Sequence, residues 1–316
     1  MAVYTSVNNF ELNKFLQQYN LGNLISFKGI VDGIENSNYV INTEKGKFIL
    51  TLFEKRVNPA DLPFFMDLQI HLSQNKFNCP IPIKNKNEKI INTLCNKSAV
   101  IISFLEGKQI ENPLEKHCSQ VGEMIYKFKK ITKNFNQFRK NSLSIEKWNQ
   151  IFNKCLEIKD HNYKEIIDPI KLELDYLSKN WPEDNILAKG IIHADIFKDN
   201  VFFLKDKITG LIDFYFSCND FYAYEIAITT NAWCFNNNSQ FNNNNFEAII
   251  NKHSDVSNLE PIEKKYFNTL LRGATMRILL TRLHDQLFHP DNAIVIPKDP
   301  MEYYNILNFH QNNLIL

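Results

Sequence analysis

No run of about eighteen apolar residues occurs in this 316-residue chain, so no helix in it is expected to cross a bilayer. Met1-Ala2-Val3-Tyr4-Thr5 is not a basic segment followed by an apolar one, and gives no sign of a secretory leader. An excess of charge is missing too. The 36 Lys and Arg nearly balance 35 Asp and Glu, leaving a net charge of +1 and no broad field to attract nucleic acid or an acidic membrane. The six cysteines (Cys79, Cys95, Cys118, Cys155, Cys218 and Cys234) form neither a C-x-x-C pair nor a zinc spacing. They read as reduced, mostly buried thiols of a cytoplasmic protein. There is no internal repeat, no G-x-x-x-x-G-K-[ST] and no G-x-G-x-x-G. What remains is a chain of ordinary globular composition, long enough for one large core or two lobes.

What the chain does contain is His193-Ala194-Asp195-Ile196-Phe197-Lys198-Asp199-Asn200, with Asp213 thirteen residues further on in Gly210-Leu211-Ile212-Asp213-Phe214. Phosphoryl transfer from a nucleotide asks for these groups. One carboxylate, Asp195, orients the acceptor hydroxyl and takes its proton. An amide oxygen, Asn200, and a second carboxylate, Asp213, hold the metal that bridges the phosphates. The Asp-to-Asn step of five matches a kinase catalytic loop, and Asp-Phe matches the start of the metal-binding DFG. Ile191-Ile192 leads into the loop, Val201 to Leu204 reads as a strand, and Lys205-Asp206-Lys207 as a turn before a returning strand at Ile208 to Ile212. Such a hairpin is expected to return Asp213 to the side of Asn200. His193 reads as a brace for the loop.

Around this segment the pattern divides. Asn8-Asn9-Phe10-Glu11 is a helix-capping box ahead of Leu12, Phe15, Leu16 and Tyr19. Strand patterns follow at 24–30, 38–43 and 47–53, with a turn at Thr43-Glu44-Lys45-Gly46. A helix at 59–76 and strands near 88–95 and 98–105 complete this region. Beyond it the signal is helical: around Cys118 to Phe128, around Trp148 to Cys155, and near 168–180, 220–235, 261–288 and 300–313. Asn236-Asn237-Asn238 and Asn242 to Asn245 read as a low-complexity surface loop. The expectation is an α+β, protein-kinase-like fold. A small antiparallel β-rich lobe at 1–105 binds nucleotide, and a helical lobe at 106–316 carries catalysis, with ATP in the cleft between them.

On the nucleotide side, Gly29 and Gly33 allow close backbone approach, and Asn36, Ser37 and Asn38 offer hydrogen bonds to phosphates. Glu106, where the strand pattern ends, joins this set. The lysine expected on the third strand is absent: Phe48-Ile49-Leu50-Thr51-Leu52-Phe53 has Thr51 in its place. Lys47, Lys55 and Arg56 are the basic residues near it, and alternation does not choose among them.

The loop from His193 to Asn200, with Ile212-Asp213-Phe214, resembles the aminoglycoside-phosphotransferase-like (choline kinase-like) superfamily of small-molecule kinases. Longer runs are similar to its bacterial homoserine kinases: Gly33 to Tyr39, Phe48 to Val57, Asp61 to Phe65, Ile191 to Phe203, Gly210 to Phe216 and Asn231 to Phe235. Shorter matches are Met1 to Thr5, Arg272 to Ala274, Leu280 to Arg282 and Pro297 to Pro300. The resemblance implies Asp195 as base, Asn200 and Asp213 as metal ligands, and Thr51 as normal for the group. It implies transfer from ATP with Mg2+ to L-homoserine, giving O-phospho-L-homoserine on the way to threonine. One departure is Tyr224-Glu225-Ile226-Ala227, where the superfamily has Asp for Glu225, so a helix-positioning role there is left open.

The acceptor hydroxyl belongs at Asp195. Its carboxylate asks for an Arg fork, with Arg272, Arg277 and Arg282 on one long helix as candidates. Its ammonium asks for a carboxylate or an aromatic face, from Asp32, Tyr215, Asp220 or Trp233. Tyr215, Asn231, Trp233 and Arg277 are taken as the acceptor-binding set, and Lys198 as a residue that meets either the phosphoryl group or solvent. Two rivals stand beside this reading: a kinase for choline, ethanolamine or an aminoglycoside, and a nucleotide-binding pseudokinase.

Overall fold

The computed structural model describes residues 4–30, 36–54, 57–159, 161–250, 259–289 and 297–316. The chain divides into two compact units, Met1–Gly107 with Thr209–Tyr215, and Lys108–Ile208 with Phe216–Leu316. The first boundary lies two residues past the expected one. The segment 209–215, placed by chain order in the second lobe, packs with the first unit, where Leu211 N donates to Asn78 O at 3.0 Å.

The first unit opens with helix α1 (Asn9–Leu16), started by the expected capping box: Asn8 Oδ1 accepts from Glu11 N at 2.9 Å, and Glu11 reaches back to Asn8 N. Strands β1 (Leu24–Gly29), β2 (Ser37–Thr43), β3 (Gly46–Leu52), β4 (Asn92–Leu94) and β5 (Lys97–Ser103) form an antiparallel sheet in the order β1-β2-β3-β5-β4. Burial alternates along β2, so Ser37, Tyr39, Ile41 and Thr43 face inward. Ile41 meets Leu12, Phe15, Leu50, Leu52 and Ile101 in one apolar core. Burying side chains of this size stabilises by about 1.5–3 kcal/mol each. Cys95 and Asn96 turn β4 into β5 with φ of 50° and 58°, the left-handed pair that a tight hairpin turn needs. Helix α2 (Leu62–Gln74) buries Phe65, Leu68 and Leu72 as its spacing predicts.

The second unit contains α3 (Glu115–Thr132), α4 (Ile145–Cys155), α5 (Ile167–Asn180), α6 (Tyr222–Trp233), α7 (Asn243–Ile250), α8 (Pro261–Leu287) and α9 (Met301–Asn312). Every residue of α6 is buried, so it is a central helix rather than an amphipathic one. The short strand β6 (Lys189–Ile192) pairs antiparallel with β9 (Cys218–Phe221), a pairing that the polar sequence of β9 hid. Between them β7 (Val201–Leu204) and β8 (Lys207–Leu211) form the expected hairpin, and Lys205 and Asp206 at its tip have φ of 49° and 62°.

The asparagine-rich stretch corrects the reading of it as a surface loop. Asn242 N donates to Cys234 O at 2.7 Å, and α7 begins inside the run. Asn245 is buried, with Nδ2 donating to Pro113 O and Trp233 O, both at 3.3 Å. Asn236 to Asn238 form an exposed turn, and Asn242 to Asn244 are exposed as well, so the run lies at the surface but its second part is helix start and not loop. Helix α7 then lies tightly on α3, where any side chain at Gly122 would collide with Ile249 O. Among the described residues no helix is long and apolar enough to cross a membrane.

Candidate active site

The loop that follows β6 is fixed from several sides within the second unit. His193 is fully buried, its ring edge-on to Phe128 of α3 at 6.4 Å. Ala194 has φ of 62°, a left-handed conformation that costs a non-glycine residue about 1 kcal/mol or more. It persists because both faces of its peptides are engaged. Glu225 of α6 accepts from His193 N and, at 3.1 Å, from Ala194 N. Arg277 of α8 donates from Nη1 to Ala194 O. Two residues on, Trp233 Nε1 donates to Ile196 O at 2.9 Å.

Asp195 projects from this braced segment with 17% of its side chain exposed. Asn200, placed by a 3₁₀ turn at Lys198–Asn200, donates from Nδ2 to Asp195 O at 2.9 Å and Oδ2 at 2.8 Å. Asp195 Oδ1 lies 3.7 Å from Arg277 Nη2. The five-residue step therefore ties the expected base to the expected metal ligand by a direct hydrogen bond. Because the amide nitrogen is turned to Asp195, Asn200 keeps Oδ1 as its acceptor atom.

Burial pushes the Glu225 carboxyl up to about 7, opposed by the amides of Ala194 and His193 and by the Arg277 charge. Burial also raises Asp220, opposed by Asn141, whose Nδ2 donates to it at 2.7 Å. Lys198 is half-buried and its ammonium is lowered by burial; its Nζ is 3.5 Å from Glu111 O.

The three candidate arginines of α8 have different partners. Arg272 makes a two-pronged pair with Glu173 of α5 (2.7 and 2.6 Å) and stacks on Tyr176. Arg282 is paired with Glu302 of α9 at 2.6 Å. Arg277 alone of the three meets Asp195. Asn231 is buried, its Nδ2 donating to Leu271 O and Thr275 Oγ1 and its Oδ1 facing His310 Nε2 at 2.8 Å. Asn231 and Trp233 thus make hydrogen bonds inside the helical unit. Asn141 and the loop contacts of Glu225 and Arg277 were not read from sequence; Glu225 was noticed only within Tyr224-Glu225-Ile226-Ala227.

In the first unit, Asp213 is half-buried just after β8 with φ of 63°. Tyr215 packs edge-on between Phe53 and Phe65, with ring centroids at 5.1 and 5.6 Å. Gly29 closes β1, where Ile30 N donates to Asn38 O at 2.8 Å. Glu54 gathers the neighbourhood of β2. Ser37 Oγ donates to it at 2.7 Å while accepting from Tyr4 N and Thr5 N, and Thr5 Oγ1 and Lys97 Nζ also reach it. Asn36 Oδ1 accepts from Glu54 N, and Asn38 Oδ1 from the buried Thr51 hydroxyl at 2.7 Å. The side chains of Asn36 and Ser37 therefore tie the start of β2 to Glu54, just past the end of β3. Glu106 is exposed at the end of the unit. Lys47 lies 5.5 Å from the Phe104 ring. Gly33, Asp32, Lys55 and Arg56 fall outside the described residues.

Comparison with known proteins gives the fold and the family. Solved structures share the fold: amicoumacin kinase hAmiN in complex with AMP-PNP, Ca2+ and Ami (TM-score 0.73, 14% identity, 98% of this chain and 95% of that one). Choline kinase from Cryptosporidium parvum is another (TM-score 0.69, 14% identity, 96% and 95%). Curated relatives are more alike in sequence. Homoserine kinase of Parvibaculum lavamentivorans is 43% identical over 98% of this chain and 96% of its own length. That of Rhodopseudomonas palustris is 46% identical over 99% and 95%. Residues 26–256 match the family described as Phosphotransferase enzyme family (APH), and the chain belongs to that family.

Proposed function

We propose that this protein is an ATP-dependent kinase that phosphorylates the hydroxyl of L-homoserine, giving O-phospho-L-homoserine for threonine synthesis in the cytoplasm. The observation that carries the choice of acceptor is the 43–46% identity to curated homoserine kinases along almost the whole chain. Asp195 supplies the reaction's base. Its Oδ2 is oriented by Asn200 and its side chain is partly exposed, so it can accept the hydroxyl proton as the acceptor oxygen attacks the γ-phosphorus and ADP leaves.

Asn200 and Asp213 would hold the metal. An amide oxygen and a carboxylate form a hard-oxygen set that suits Mg2+, which commonly binds through one or two carboxylates and substrate phosphates. Bound there, it would neutralise charge on the phosphates. Gly29, Gly33, Asn38 and Glu106 are assigned to the nucleotide, with Asn36 and Ser37 holding the start of β2 to Glu54. Tyr215 is assigned to the acceptor. Arg277, Asn231 and Trp233 support the catalytic loop and the helices behind it.

ADP release with MgATP, measured against L-homoserine, L-serine, choline, ethanolamine and kanamycin, tests the reading. Saturable turnover with L-homoserine is expected. Turnover with another acceptor and none with L-homoserine would overturn the substrate assignment.

A further inference from the structure

Arg277 is 2% exposed on α8, so its guanidinium is a buried cation. Removing such a charge from water costs several kcal/mol unless partners compensate it. Its neighbours on the same helix are spent on structural pairs, Arg272 with Glu173 and Arg282 with Glu302. Arg277 instead spans two consecutive residues of the catalytic loop. Nη1 bonds to the carbonyl of left-handed Ala194, Nη2 faces Oδ1 of Asp195, and the group lies 5.2 Å from the Phe216 ring. Asn200 hydrogen-bonds the other carboxylate oxygen, so Asp195 is flanked by an amide on one side and a cation on the other.

We infer that Arg277 is a positioning residue, holding Ala194 left-handed and Asp195 in its reactive orientation, rather than the fork that binds the acceptor's carboxylate. The inference rests on Asp195 being the base. Glu225 secures the amide side of the same turn and Arg277 the carbonyl side, so the strained residue is clamped between α6 and α8. A planar fork at fixed angle suits this duty better than a lysine, whose single ammonium is less directional.

The two roles separate by acceptor. L-Homoserine and 3-aminopropan-1-ol share the amine and the hydroxyl, but only the first has a carboxylate. Kinetics of both are measured for wild type, Arg277→Lys and Arg277→Met, with MgATP affinity by calorimetry and folding by chemical unfolding. Displacement of a catalytic group by about 1 Å lowers turnover roughly 10²-fold. Arg277→Met should therefore lower kcat about that much for both acceptors, leaving their kcat/KM ratio and the ATP affinity unchanged. Arg277→Lys should restore part of kcat, and it carries the comparison alone if the methionine variant does not fold.

A rise in KM for L-homoserine with collapse of the ratio would overturn the inference in favour of carboxylate binding. Unchanged kcat per folded molecule would overturn it in favour of a structural pair. Asp195→Asn, run alongside, separates the premises: if it keeps turnover, the reading of Asp195 as base is what fails.

Discussion

A carboxylate that takes a proton from an alcohol must be held at one angle yet remain within reach of its acceptor. Asp195 meets both conditions, flanked by Asn200 and Arg277 while part of its side chain stays exposed. The loop's anchor, Glu225, carries a testable burden. Its carboxyl is raised by burial from 4.5 to about 7, so the folded state binds a proton that the unfolded state releases between those values. The stability this contributes is fully present below about pH 4.5 and is lost as pH rises through 7, a change of about 3 kcal/mol. Unfolding midpoints in urea from pH 5 to 8 should fall for wild type relative to Glu225→Gln. Parallel curves would show that the carboxyl does not titrate there. The tie between Asp195 and Asn200 was legible in sequence because both lie in one short loop at a five-residue step. Arg277 lies 83 residues from Ala194, and nothing local distinguishes it from Arg272 or Arg282.

At the scale of elements, apolar periodicity served well wherever one face of a helix is buried and the other is wet. It placed α3, α4, α5 and α8 to within a few residues. It failed where polarity does not track burial. Strand β9 is Cys218-Asn219-Asp220-Phe221, hidden by two polar residues whose partners come from the segment at 139–141. Helix α7 starts among asparagines that composition assigns to solvent. Asn245→Ala should therefore destabilise the protein by about 1–3 kcal/mol, the cost of stranding buried carbonyls. Chemical unfolding would read this directly. An unchanged midpoint would return the stretch to the status of a surface loop.

For the whole molecule, the α+β, kinase-like class was readable because strand and helix patterns segregate along the chain. The return of 209–215 to the first unit was not, since a contact with Asn78 leaves no trace in periodicity. Homology carries the substrate, and the proposed base rests on how Asp195 is held, so one experiment must join them. The most direct is phosphorus NMR of the product formed from MgATP and L-homoserine by wild type and by Asp195→Asn. The account predicts a phosphomonoester on the homoserine oxygen with wild type, and a rate lower by roughly 10²–10⁴-fold, with nucleotide still bound, for the variant. Inorganic phosphate alone, phosphate on the amine, or an undiminished rate in Asp195→Asn would contradict it.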